Sequence, residues 1–159
     1  MTPTVEIPPH VDIKGDRFIP FIPVGDLQAR ISEIANTINR DMEGQTPIFI
    51  CVLNGAFMFF ADLVRQITID CEVDFLKLSS YGERKISSGK VELVKDLNCE
   101  VEGRHILLVE DIVDTGNTLN YLIGILESHG PASIRTATLL HKAHRSVVDV
   151  DIDYVGFDI

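Results

Sequence analysis

The chain is 159 residues long and carries 14 Lys and Arg against 24 Asp and Glu, a formal net charge of -10. One core that buries about two thirds of the unfolded surface suits that length, so neither disulfides nor a structural metal is needed to hold it. The acidity opposes non-specific binding to nucleic acid or anionic membrane, and no apolar run nears the ~18 residues of a membrane span.

Residues 1–23 are proline-rich and irregular, with a short strand expected over 18–21. From Asp26, a candidate N-cap, apolar residues Leu27, Ile31, Ile34, Ala35, Ile38 and Met42 recur at helical spacing until Gly44. Ile48-Phe49-Ile50-Cys51-Val52-Leu53 is continuous and apolar, as a strand covered on both faces should be. Asn54-Gly55 breaks it, and residues 56–64 resume helical spacing. Residues 72–78 predict a second strand, and the polar stretch 79–96 a long loop or flexible hairpin of the functional kind. A buried strand over 106–109, a turn over 110–116, a helix over 118–129 and strands over 134–140 and 154–157 complete the series. Strands alternating with helices predict an α/β fold, a mostly parallel central sheet with helices on both faces. Ligands of such folds sit at the carboxyl ends of the strands, which singles out loops 54–55, 79–96, 110–117 and 141–145. The cysteines, Cys51, Cys71 and Cys99, share no metal-ligand spacing, and the N-terminus lacks a signal pattern. The cytoplasm is the expected compartment.

The stretch richest in chemistry is Val109-Glu110-Asp111-Ile112-Val113-Asp114-Thr115-Gly116-Asn117-Thr118. It leaves a buried strand and opens a helix, where free N–H groups and the positive end of the helix dipole form a seat for a phosphate. Gly116 admits close backbone approach, Thr115 and Thr118 add hydroxyls, and Asp114 can cap the helix. Three carboxylates beside an anion site make sense only if the ligand also presents hydroxyl donors or carries a metal. A ribose 5-phosphate offers both: phosphate for the N–H groups, 2- and 3-hydroxyls for Glu110 and Asp111. A generic D-x-x-D-T-G would more often be a strand end, a capping Asp and two solvated acids; the whole ten-residue string in this position outweighs that reading.

The string resembles the phosphoribosyl pyrophosphate (PRPP) signature of type I phosphoribosyltransferases. Val52-Leu53-Asn54-Gly55-Ala56-Phe57-Met58-Phe59-Phe60-Ala61-Asp62-Leu63 is similar to the pyrophosphate loop and helix of the hypoxanthine(-guanine) branch. Val73-Asp74-Phe75-Leu76-Lys77-Leu78-Ser79-Ser80-Tyr81-Gly82 resembles the strand leading into its mobile loop. Thr138-Leu139-Leu140-His141-Lys142 with Tyr154-Val155-Gly156-Phe157 resembles its base-recognition region. The likeness runs from about residue 16 to the last, with the motifs in the family's order.

This resemblance implies the type I fold with a small hood subdomain, and transfer of a phosphoribosyl group from PRPP to a 6-oxopurine, giving a purine nucleoside monophosphate and pyrophosphate. It implies magnesium, held at Glu110 and Asp111 through water, and a homodimer or homotetramer, with no nucleic acid or membrane partner. Asp114 becomes the proton acceptor near N7 of the purine, and Asp114, Thr115, Gly116, Asn117 and Thr118 the cradle of the 5-phosphate. Leu53, Asn54 and Gly55 bind pyrophosphate, with a non-proline cis peptide in that loop. Asn54 stands where many relatives have lysine or arginine, so one cationic contact is absent. Ser80 and Tyr81 ride the mobile loop, and Lys142 donates to the 6-oxo group, which disfavours adenine. Outside the resemblance, Lys142 alone would be read as a solvated surface charge.

Relatives continue past the point that Ile159 occupies, with a purine-stacking aromatic, a second metal-binding aspartate and an arginine near pyrophosphate. Residues 1–159 are therefore expected to form one phosphoribosyltransferase domain truncated at its C-terminus, with an incomplete hood and weak or no turnover. The rival readings are a regulatory, RNA-binding relative, which the absence of a Lys/Arg cluster opposes; a non-catalytic nucleotide-binding module; and an adenine, orotate or uracil enzyme, which Lys142 and Ser80-Tyr81 oppose.

Overall fold

The computed structural model describes residues 8–79, 92–95 and 97–159. In chain order its elements are β1 (Val11–Ile13), β2 (Asp16–Phe18), α1 (Val24–Asp41), β3 (Ile48–Leu53), α2 (Phe57–Val64), β4 (Glu72–Ser79), β5 (Glu92–Lys95), β6 (His105–Val113), α3 (Asn117–Glu127), β7 (Ser133–His141) and β8 (Tyr154–Asp158). One six-stranded sheet has the order β5-β4-β3-β6-β7-β8, and β1 and β2 form a separate antiparallel pair. β4, β3, β6, β7 and β8 are parallel, and only β5 runs against its neighbour.

The apolar run of β3 is buried because both faces are covered, and period-two alternation sorts its side chains between them. Phe49 and Cys51 pack with Ile31, Ile34 and Ile38 of α1 and Phe59, Phe60 and Leu63 of α2. Ile48, Ile50 and Val52 pack on the opposite side with Leu119, Leu122 and Leu126 of α3. β6 divides the same way, Leu107 and Val109 to the first layer and Ile106 and Leu108 to the second. Each such fully buried aliphatic or aromatic side chain is worth about 1.5–3 kcal/mol of transfer free energy. The predicted three-layer α/β architecture is the observed one.

The strand order places the site. From β3 the chain moves outward to β4, then returns to the other side of β3 as β6. β3 and β6 thus flank the point where the winding reverses, the crevice in which doubly wound folds bind ligands. Their ladder runs from Ile48↔Ile106 to Cys51↔Val109 and stops there. Beyond it β6 continues beside β7 as far as Val113↔His141, so residues 110–113 stand clear of the β3 end.

Several boundaries differ from expectation. The strand expected over 18–21 is instead the β1–β2 hairpin, since Pro20 and Pro23 lack the N–H a strand must donate. Helix α1 begins at Val24 with Pro23 as its N-cap, and Leu27 N–H donates to Pro23 O at 3.0 Å. Asp26 therefore lies in the first turn, where its charge meets the positive end of the helix. The turn expected over 110–116 shrinks, because residues 110–113 remain strand: pairing with β7 outweighs the polarity of Glu110 and Asp111.

Asp74 on β4 anchors the chain where it returns toward β6. Its carboxylate is 4% exposed and accepts from the backbone N–H groups of Phe75 (2.8 Å), Asn98 (2.6 Å) and Cys99 (3.1 Å), the Asn98 amide (3.0 Å) and the Cys99 thiol (3.2 Å). Burial alone would raise its pKa, but these donors together outweigh burial and hold the carboxyl well below the usual range. The stability gained is thus present above the unfolded value near pH 3.9 and is lost as pH falls toward the folded one. Asp74→Asn should remove about 2 kcal/mol at pH 7, a melting temperature lower by roughly 4–8 °C. Thermal melts should show that gap narrowing progressively below pH 4; a gap independent of pH would contradict the charged acceptor.

Candidate active site

Helix α3 opens on Gly116, whose φ of 83° is the left-handed conformation that favours glycine. A Cβ there would lie 2.9 Å from the Val148 carbonyl oxygen, so space also demands glycine. The N-cap has no side chain to engage the first N–H groups of the helix, which have no intrahelical acceptors. Val147 and Val148 N–H donate to Thr115 O at 3.0 and 3.2 Å, and Lys142 N–H donates to Val113 O at 2.9 Å. The segment after β7 is thereby sewn to the turn after β6. Glu110, Ile112, Val113, Asp114, Thr115, Gly116, Thr118 and Leu119 line a cup of about 80 Å³ at this turn.

Two cations converge on Asp114. Lys142 Nζ lies 3.9 Å from Oδ2, and Arg145 Nε lies 3.1 Å from Oδ1. Among the described residues, Asp114 Oδ1 and Glu110 Oε2 are the buried side-chain oxygens without a hydrogen-bond partner, so the Arg145 contact is ionic and not an aligned hydrogen bond. The expected capping role of Asp114 is not observed: Gly116 occupies the N-cap, and the Asp114 carboxylate faces the two cations instead.

Glu110 and Asp111 form an acidic pair. Burial, then a side-chain hydrogen bond to Asp111 and repulsion by its charge, push the Glu110 carboxyl up to about 8. Burial and the same two acids push the Cys51 thiol beneath them up to about 12, which leaves it a small inert hydrophobe. A Cβ on Gly55 would overlap the Asp111 carboxylate. Asp111 thus lies against the loop after β3 and joins the two strand-end loops. The Leu53–Asn54 peptide in that loop is cis, as the resemblance implied.

The sequence-predicted residues therefore fall into three groups. Glu110, Asp114, Thr115, Gly116 and Thr118 line one cup, with Asn117 exposed beside it on the first turn of α3. Of Leu53, Asn54 and Gly55 in the loop after β3, Gly55 lies against Asp111, and Lys142 reaches Asp114 from the end of β7. Ser80 and Tyr81 lie outside the described residues. Arg145 was missed, although loop 141–145 was marked as informative; position after a strand was the available signal. Also missed were Val147 and Val148, whose contribution is main-chain and leaves no trace in side-chain pattern. Among the described residues no group of three or more His, Cys, Asp or Glu is arranged to hold a metal.

A phosphoribosyl transferase domain family model matches residues 23–159. The chain belongs to the phosphoribosyltransferase family. Within it, the chain falls among relatives of the hypoxanthine(-guanine) phosphoribosyltransferases. It is 39% identical over 153 residues to the hypoxanthine phosphoribosyltransferase of Haemophilus influenzae, covering 94% of this chain and 82% of that protein. It superimposes on a crystal structure of a hypoxanthine-guanine phosphoribosyltransferase from Bacillus anthracis with TM-score 0.82 and 42% identity, covering 87% of this chain and 82% of that one. The bifunctional protein TilS/HprT of Listeria monocytogenes is 41% identical over 132 residues, 83% of this chain; the chain spans about a fifth of that protein's length, 20%.

The strain in this phosphoribosyltransferase site is measurable. Because folding raises the Glu110 carboxyl, its ionisation penalises the folded state, beginning above the unfolded value near pH 4.3 and complete above about 8. Glu110→Gln should therefore raise the melting temperature of the ligand-free protein, with a gain that grows from pH 5 to pH 9. Parallel melting curves across that range would contradict the buried acidic pair.

Proposed function

We propose that the site transfers the 5-phosphoribosyl group of PRPP to hypoxanthine or guanine. The observation that carries this reading is a donor beside an acceptor: Lys142 Nζ sits 3.9 Å from Asp114 Oδ2. A 6-oxopurine presents its oxygen and its 7-nitrogen on one edge, so the lysine can donate to the oxygen while the carboxylate accepts a proton from the nitrogen. Adenine would set an amino group against the ammonium and leave both donors unpaired.

The remaining roles follow from placement. The N–H groups and hydroxyls of Thr115, Gly116, Asn117 and Thr118 cradle the 5-phosphate, and Glu110 and Asp111 accept from the ribose 2- and 3-hydroxyls. Those hydroxyls give the orphaned Glu110 Oε2 the donor it lacks. Leu53, Asn54 and Gly55 receive pyrophosphate. The bond from ribose C1 to the pyrophosphate oxygen breaks, a bond from C1 to the purine nitrogen forms, and the purine proton passes to Asp114. Alignment of the two partners and exclusion of water contribute to the acceleration.

Glu110 and Asp111 also suit magnesium, which takes one or two carboxylates and completes its shell with water and phosphate oxygens. Their mutual repulsion, visible in the raised Glu110 carboxyl, is what a cation would relieve. Bound there, magnesium would neutralise charge on the departing pyrophosphate. We place the protein in the cytoplasm, whose reducing conditions match the unpaired Cys51, Cys71 and Cys99. A homodimer or homotetramer would cover Phe57 and Met58, which are 53% and 69% exposed on α2.

Calorimetry should find that inosine or guanosine monophosphate binds at least tenfold more tightly than adenosine monophosphate. Equal affinities would remove Lys142 from base recognition. In a spectrophotometric assay with PRPP, magnesium and a panel of bases, Asp114→Asn should lower turnover more than tenfold, at least ~1.4 kcal/mol of transition-state stabilisation. Near-normal turnover would remove Asp114 from proton transfer.

A further inference from the structure

We infer that Arg145 is the positioning residue for Asp114: it grips one carboxylate oxygen so that the other is left facing the base. This rests on the functional reading above and adds a residue to it.

Each Asp114 oxygen has its own cation, Arg145 on Oδ1 and Lys142 on Oδ2. Once Lys142 turns to the 6-oxo group of a purine, Oδ2 is free to accept a proton, and among the described residues Arg145 still restrains the carboxylate. That restraint matters because Asp114 lies two residues before an N-cap without a side chain. An aspartate in such a turn readily bonds to main-chain N–H groups just ahead of it. Released from Arg145, the carboxylate can swing toward the first N–H groups of α3, leave the base and occupy the donors proposed for the 5-phosphate.

The backbone is built to hold Arg145 in place. It ends a single 3-10 turn, Ala143–Arg145, and its N–H donates to Lys142 O at 2.8 Å. Lys142 precedes the turn and Arg145 ends it, and both side chains reach Asp114. On either side of the turn, Lys142 N–H and Val147 N–H are fixed to Val113 O and Thr115 O, the carbonyls flanking Asp114. The Arg145 side chain is 53% exposed, so its ion pair adds little to stability. Its consequence lies in where the carboxylate points.

A double-mutant cycle tests this. Arg145→Met should lower kcat at least tenfold, shift KM for hypoxanthine less than threefold and leave the melting temperature within about 2 °C. In an Asp114→Asn background the same substitution should change kcat less than twofold, because nothing remains to be oriented. Arg145→Lys should recover part of the loss. Equal losses in both backgrounds, or an unchanged kcat in Arg145→Met, would overturn the inference while leaving the transferase reading intact. A parent chain that binds neither inosine nor guanosine monophosphate overturns both.

Discussion

Main-chain hydrogen bonds that tie the segment after β7 to the turn after β6 are the constraint on which the rest depends. Lys142 N–H bonds to Val113 O, and Val147 and Val148 N–H bond to Thr115 O. They set the shape of the turn, oblige residue 116 to be glycine beneath the Val148 carbonyl, and carry Lys142 and Arg145 to Asp114. None of this depends on the chemistry of the side chains at 147 and 148. The long β6–β7 ladder beneath, from His105↔Ser133 to Val113↔His141, supplies a rigid base, and functional groups on sheet ends are held more closely than groups on free loops.

A chain with a net charge of -10 is an unexpected host for the proposed polyanion. The molecule answers locally. Helix α3 directs its positive end at the cup, and cations are concentrated at Asp114, while Glu110 and Asp111 are crowded against burial and each other. Such crowding destabilises the empty site and is relieved only by something that brings hydroxyl donors or positive charge. Stability is traded for readiness to bind, the pattern expected where a site departs from the rules governing the core.

Much of this was legible in the sequence because it is local. The apolar run of β3, the helical spacing of α1 and the strand–turn–helix around Gly116 each depend on neighbouring residues. What escaped depends on contacts distant in sequence. The polarity of Glu110 and Asp111 reads as a turn, and only pairing with β7 keeps them in strand. Asp114 reads as a helix cap, and only Lys142 and Arg145, from another loop, draw it away. The fit of Gly55 against Asp111 and the grip of Asp74 on residues 98 and 99 join segments that no short window contains. In the motif, residue types predict a strand end, a glycine turn and a helix N-terminus, whereas the direction of each carboxylate is tertiary information.

The most direct measurement is a crystal structure with inosine monophosphate bound. The 5-phosphate is expected on the N–H groups of residues 115–118, the ribose hydroxyls toward Glu110 and Asp111, and the purine edge between Lys142 and Asp114. A nucleotide seated elsewhere, with the turn before α3 empty of phosphate, would contradict this placement.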